Sequence, residues 1–402
     1  MTHTVRKLFL WALAGVILLA AVAVGLLRLF LPIFQFPRPT GPYAIGTLTY
    51  HWVDAERAEI FTDAPDDVRE LMVQIWYPAA ESEGPRTPYI EDGNMLAPIA
   101  RLLHVPDFTF QHLRWVTTNA VSAAPAAEGA GRSPVLIFLH GRGGYRQHNT
   151  AQVEELVSHG YIVVALEQPY AASGVSFPDG RLISLSPRMM EGAFGQGQTT
   201  IDDPLIPYLA QDVVFALDQL TLLDQEDPQG ILSGRLDLEQ VGVFGVSLGG
   251  IIGPEACLID ARLRACLAMD AFVPGDVVRA GLSQPTMWIS RDAETMRREG
   301  WTEIDIDKTL TTMETAFAAL PGAGYIVKIP GIYHIEFSDA RFLVWPPLGE
   351  ALGLFGPVDH QRASEFVDAL VLAFFDRHLK GLPAPLLDDP AAVYPDVLYE
   401  RR

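Results

Sequence analysis

Three kinds of side chain able to perform acyl transfer stand where a folded chain can present them together. Gly245-Val246-Ser247-Leu248-Gly249 is a G-x-S-x-G pentad, preceded by the apolar run 241–244 and followed by Gly250, Ile251 and Ile252. A strand that turns sharply into a helix can hold a serine at its apex only if its neighbours lack clashing side chains, which the two glycines provide. Ser247 is therefore the candidate nucleophile, and an unreactive glycine turn is the plainer alternative. Serine is a weak nucleophile at its own pKa, so a base and an orienting acid must accompany it.

Ten histidines are available. His334 lies in the loop 331–337, directly after the apolar strand expected to end the sheet, and is the best placed base. His360 and His378 sit in or beside the final helix and His159 ends an earlier one, where a capping or solvated role suffices. His140 and His148 fall near a glycine-rich loop that they would shape. Two acids compete for the third role: Asp270 ends the apolar strand 265–269, and Asp292 follows the strand 286–290. An unpaired carboxylate closing an apolar strand would be costly, which favours Asp270. Asp292 sits among Arg291, Glu294, Arg297 and Arg298, the pattern of a solvated surface. The loop Phe138-Leu139-His140-Gly141-Arg142-Gly143-Gly144 follows an expected central strand. Its glycines let backbone N–H groups approach a substrate oxygen, so the Arg142 and Leu248 amides are the candidate oxyanion donors.

The elements needed to position these residues are legible. Strands are expected at 71–77, 135–139, 161–166, 241–245, 265–269, 286–290 and 325–329. Helices with apolar residues at three- and four-residue spacing fit at 150–159, 204–223, 248–258, 307–320 and 361–379. Alternation of this kind predicts an α/β fold with a mostly parallel twisted sheet covered by helices on both faces, and chemistry at the carboxyl ends of its strands.

The 402 residues are 49% hydrophobic and 19% charged, enough for a sizeable core, and the formal charge is −20. That balance, without a basic stripe, argues against nucleic-acid binding. Cys257 and Cys266 alone exclude a disulfide scaffold or a cysteine metal cluster; packing is their expected role, with one local disulfide as the other reading. No metal or cofactor is implied. Residues 1–53 contain no acid, and Arg6, Lys7, Arg28 and Arg38 make this stretch basic. The uncharged run 8–27 is long enough to cross a bilayer as a helix. An uncleaved anchor with the catalytic domain outside the cytoplasm is expected; Ala21 and Ala23 also fit a cleaved signal and secretion. The expected organisation is an anchor or signal at 1–31, a Pro-rich linker at 32–42 and a catalytic domain at 43–402.

The chain resembles the platelet-activating factor acetylhydrolases of the plasma and intracellular type II group, which are α/β-hydrolases. The likeness rests on Gly41-Pro42-Tyr43-Ala44-Ile45-Gly46-Thr47, Val73-Gln74-Ile75-Trp76-Tyr77-Pro78, the His140-Gly141 loop and Ser158-His159-Gly160-Tyr161-Ile162-Val163. It continues through Gly245 to Gly250 and His334 with Phe337-Ser338-Asp339. It implies Ser247 as nucleophile, Asp270 as acid, His334 as base, and Arg142 and Leu248 as oxyanion donors. Val246 and Leu248 depart from the family's usual His and Phe, and Arg142 stands where an apolar residue is common. The resemblance further implies calcium-independent hydrolysis of short or oxidised sn-2 acyl esters of phospholipids, the 1-alkyl-2-acetylglycerophosphocholine esterase reaction; no D-x-D-x-D-G calcium loop occurs.

The function expected is thus a membrane-tethered serine esterase acting on a phospholipid or another small ester. A carboxylesterase for non-lipid esters, polyester or dienelactone-like, would use the same residues. A non-catalytic α/β-hydrolase acting as a binding module is the alternative from another class. The segment 95–105 is amphipathic and fits either a lipid-facing element or an ordinary cap.

Overall fold

The computed structural model describes residues 3–30, 32–80, 84–190 and 200–402. Edge to edge, its main sheet runs Leu398–Arg401, Gly324–Lys328, Thr286–Ser290, Leu263–Met269, Leu236–Val246, Ser133–Leu139, Ile162–Glu167, Val68–Ala79, Ala44–Ala58, Thr117–Ser122 and Arg86–Pro88. The six strands from Gly324–Lys328 to Ile162–Glu167 are parallel. All seven expected strands are present. Gly324–Lys328 is not the last, because Leu398–Arg401 pairs antiparallel beyond it.

The central strands are near-continuous Val, Ile and Leu because both of their faces are covered. Val135, Ile137 and Leu139 point to one core with Leu209, Val213, Ile252 and Met313, drawn from the helices Leu205–Gln225, Leu248–Ile259 and Glu303–Ala319. Leu136 and Phe138 point to the other with Val153, Phe366 and Phe374, from the helices Thr150–Ser158 and His360–Leu379. This period-two division fixes the sheet's register and stacks the strand ends that carry Leu139, Val246, Met269 and Ser290 along one rim.

The helix His3–Phe30 is long and apolar enough to cross a membrane, and its window Val5–Val22 buries nothing against the rest of the protein. Residues 1, 2 and 31 of the expected amino-terminal segment lie outside the described residues. The Pro-rich stretch is docked on the fold. Phe34 and Phe36 pack with Tyr89 and Phe342, and the Gly41 amide donates to Ser158 Oγ at 3.0 Å.

Candidate active site

Ser247 joins the strand Leu236–Val246 to the helix Leu248–Ile259 with φ 56° and ψ −119°. A serine held there costs about 1–3 kcal/mol unless its surroundings enforce it. The enforcement comes from close backbone crossings. A Cβ on Gly249 would stand 2.0 Å from the Leu139 carbonyl oxygen, and one on Gly245 would stand 2.4 Å from the Gly249 carbonyl carbon. The serine is thereby lifted to the rim of the sheet.

The candidate acid comes from the neighbouring strand. Met269 pairs with Val246 in parallel register, so Asp270 and Ser247 are the first residues beyond one ladder rung. The Asp270 amide donates to the Ile289 carbonyl at 2.7 Å, and Ser290 Oγ donates to Asp270 Oδ1 at 3.1 Å. Oδ2 accepts a hydrogen bond from His334 Nδ1. His334 opens the short turn His334–Phe337 after the strand Gly324–Lys328. Its side chain is 29% exposed, while that of Asp270 is 1% exposed. Burial alone would raise the Asp270 pKa. The Arg291 guanidinium and the His334 imidazole outweigh it and hold this carboxyl well below the usual carboxylate range. The group facing the imidazole is a carboxylate.

Asp292, the rival acid, is occupied elsewhere. It caps the helix Ala293–Glu299, accepting from the Thr295 amide at 3.3 Å. His360 is held by Glu336 and Glu350, and His159 contacts Glu155 and Thr40. Burial pushes the His378 imidazole down to about 4, beside the Tyr325 hydroxyl.

The glycine-rich loop after Ser133–Leu139 abuts the serine. A Cβ on Gly141 would lie 3.2 Å from Ser247 Cβ, and the Gly144 amide donates to the Gly141 carbonyl at 2.8 Å, closing a turn with Arg142 inside it. Arg142 and Leu248, the two candidate donors, therefore lie on turns in contact. His140 shapes this loop. Its Nδ1–H donates to the Gly141 carbonyl at 2.8 Å, its Nε2 accepts from the Gln168 amide at 3.3 Å, and burial pushes it down to about 4. Burial also pushes His148 down to about 3, helped by His140 and His334 nearby.

Sequence reasoning missed three neighbours. Arg291 was expected on a solvated surface, but it is fully buried, 2.8 Å from Asp270 Oδ2 and paired through Nη1 with Glu299. Trp301 stacks over it. The signal lay in the strand itself: Arg291 ends a wholly buried run, as Asp270 does.

The segment 95–105 divides its apolar residues. Leu96 and Ile99 pack into a core with Phe36, Tyr89 and Tyr145, whereas Leu103 is exposed, as is Phe108 beyond it. No group of three or more His, Cys, Asp or Glu side chains arranged to hold a metal ion occurs among the described residues.

A family described as platelet-activating factor acetylhydrolase, isoform II, matches residues 30–176, which include the glycine-rich loop but not Ser247, Asp270 or His334. A platelet-activating factor acetylhydrolase of Cavia porcellus is 23% identical over 85% of this chain and 78% of its own length. A probable 1-alkyl-2-acetylglycerophosphocholine esterase of Arthroderma benhamiae is 24% identical over 96% of this chain and 98% of its own. Among solved structures, a ferulic acid esterase from Streptomyces cinnamoneus superposes with a TM-score of 0.72 at 30% identity, covering 91% of this chain and 98% of that one.

Proposed function

Because this chain belongs to the platelet-activating factor acetylhydrolase family of α/β-hydrolases and is a carboxylic ester hydrolase, we propose that it works as a serine esterase through an acyl-enzyme. The observation that carries this reading is the His334 Nδ1 to Asp270 Oδ2 hydrogen bond, one ladder rung from a serine at positive φ. With Nδ1–H committed to the carboxylate, Nε2 is the basic nitrogen. It takes the Ser247 hydroxyl proton as Oγ bonds to the ester carbonyl carbon. The backbone amides of Arg142 and Leu248 receive the oxyanion. As the carbon–oxygen bond to the leaving group breaks, the imidazolium returns the proton to the departing alcohol. Water then repeats the sequence: its proton goes to Nε2, its oxygen bonds to the acyl carbon, and Ser247 leaves with that proton as the acid is released.

The preferred substrate in this reading is a phospholipid with a short or oxidised sn-2 acyl chain; the relatives' names support the acetyl ester of a glycerophosphocholine, and the oxidised chains extend the proposal. The catalytic domain is 43–402, carried outside the cytoplasm by an anchor formed from the amino-terminal helix, or secreted after its removal. A second reading, a carboxylesterase for non-lipid esters, is favoured by the ferulic acid esterase likeness, whose 30% identity exceeds that to the lipid-acting relatives. A panel of sn-2 acetyl, sn-2 oxidised and sn-2 long-chain phosphatidylcholines, with p-nitrophenyl acetate and methyl ferulate, separates the two. Cleavage of the acetyl and oxidised lipids supports the first reading. Hydrolysis of the small aromatic esters alone overturns it in favour of the second.

A further inference from the structure

We propose that Arg291 is a positioning residue of this site. Its guanidinium, held between Asp270 and Glu299 beneath Trp301, fixes the carboxylate that orients His334 and lays its charge against the imidazolium that forms there during the reaction. The proposal rests on the triad reading above.

The geometry is a closed circuit. Arg291 follows the strand Thr286–Ser290 as Asp270 follows Leu263–Met269, so both side chains enter the same space at the rim. Arg291 Nη2 lies 2.8 Å from Asp270 Oδ2, the same oxygen that accepts from His334 Nδ1. Nη1 pairs with Glu299, and Glu299 Oε1 accepts the His334 backbone N–H at 3.1 Å. His334 is thus gripped twice, at its ring through Asp270 and at its backbone through Glu299, and Arg291 bridges the two acids. The Trp301 ring closes the circuit, with its centroid 4.2 Å from Arg291 Cζ and 5.5 Å from that of the imidazole.

The side-chain exposures are 0% for Arg291, 1% for Asp270 and 17% for Glu299. Charges this poorly hydrated act strongly on one another. A carboxylate that shares one oxygen between a guanidinium and an imidazole supports an imidazolium less than a free one does, so removing the guanidinium strengthens the carboxylate's hold on an imidazolium. Glu299 opposes the guanidinium in part. Among the described residues, His148 near the ring is kept neutral by burial, and Glu336 shares the turn that carries His334. The Glu336 oxygens are directed to the Tyr333 and Gly356 amides and to His360. Arg291 and Glu299 are charges in direct contact with the pair, the first through Asp270 and the second through the His334 amide.

The test compares pH profiles of kcat/KM on one soluble ester for the parent, Arg291→Gln, Arg291→Lys and Glu299→Gln. Arg291→Gln is expected to lower kcat at least about tenfold with KM within about twofold, and to move the acid limb up by roughly half to one pH unit. Arg291→Lys retains the parent limb. Glu299→Gln moves the limb the opposite way, because Asp270 then feels the full guanidinium charge. A residue needed only for packing would move neither limb. Limbs unchanged in both glutamine variants, or shifted in the same direction, overturn the proposal. Should Arg291→Gln fail to fold, Glu299→Gln decides alone: a downward shift supports the proposal and an unmoved limb refutes it. Ser247→Ala run alongside tests the underlying reading separately, since hydrolysis that survives it defeats the triad whatever Arg291 does.

Discussion

The Ser247 amide donates a 2.9 Å hydrogen bond to the carbonyl of Met269, the residue immediately before Asp270. The proposed nucleophile and acid are therefore spaced by the sheet ladder itself. Both leave it at positive φ, 56° for Ser247 and 49° for Asp270, so each side chain turns away from its strand at the same level. His334 alone must be delivered by a loop, and that loop is tied down elsewhere: Asn149 Nδ2 donates to the Phe337 carbonyl at 2.8 Å, and the Asp339 amide donates to the His148 carbonyl at 2.8 Å. These bonds join the turn that carries His334 to His148 and Asn149, which lie between the glycine-rich loop and the helix Thr150–Ser158.

Asp270 and Asp292 should separate cleanly on mutation. Asp270→Asn should lower kcat by about 10³–10⁴-fold, since an amide can hold the imidazole in the wrong tautomer. Asp292→Asn removes a carboxylate that serves as a helix cap, and should cost at most about 1 kcal/mol of stability with little change in kcat. Steady-state kinetics and urea melts of both proteins check this. A large kcat loss in Asp292→Asn would reverse the assignment.

Gly249→Ala is expected to abolish activity at nearly unchanged helical content, or to prevent folding. The new methyl would meet the Leu139 carbonyl oxygen at 2.0 Å, and relief requires moving the helix that carries Ser247. Circular dichroism with an esterase assay decides. A variant of normal kcat would show that the crossing has slack.

Arg69 is fully buried, bidentate to Asp212 at 3.1 and 2.7 Å and bonded to Glu59 at 2.9 Å. It ties the strand Val68–Ala79 to the helix Leu205–Gln225. Arg69→Met should cost about 3 kcal/mol, the low end for breaking a buried pair, because Arg57 and Gln168 still reach Asp212. Chemical denaturation measures it. A loss under about 1 kcal/mol would mean that those partners suffice.

Glu154 supplies a pH test of stability. Burial pushes its carboxyl up to about 7, against hydrogen bonds from the Asn119 amide and side chain. Between about pH 4.5 and 7 the folded protein keeps a proton that the unfolded chain has released, so this group lowers stability as pH rises through that window. The Tm of Glu154→Gln relative to the parent should therefore climb from pH 4.5 to 8. A difference constant with pH would contradict the burial argument.

The central sheet and its helices were legible because two-sided burial writes stretches such as 135–139 and 162–166 as unbroken apolar runs. The long strand Ala44–Ala58 escaped notice because Thr47, Thr49, His51 and Asp54 dilute it, its far half being half-solvated. Leu398–Arg401 is short, polar and at an edge, so it carries almost no signal. Within the site, Ser247, Asp270 and His334 could be chosen because each follows an apolar strand. Arg291 met the same criterion, but its charged sequence neighbours suggested solvent. A buried ion pair needs a distant partner, which local pattern cannot display.

Reaction with a fluorophosphonate, followed by peptide mapping, interrogates Ser247 itself, because only an activated serine couples rapidly to that reagent. One adduct is expected, on the peptide containing Ser247, absent in Ser247→Ala and slowed at least about a hundredfold in His334→Ala. An adduct on another serine, or an unlabelled protein that still hydrolyses esters, would contradict it.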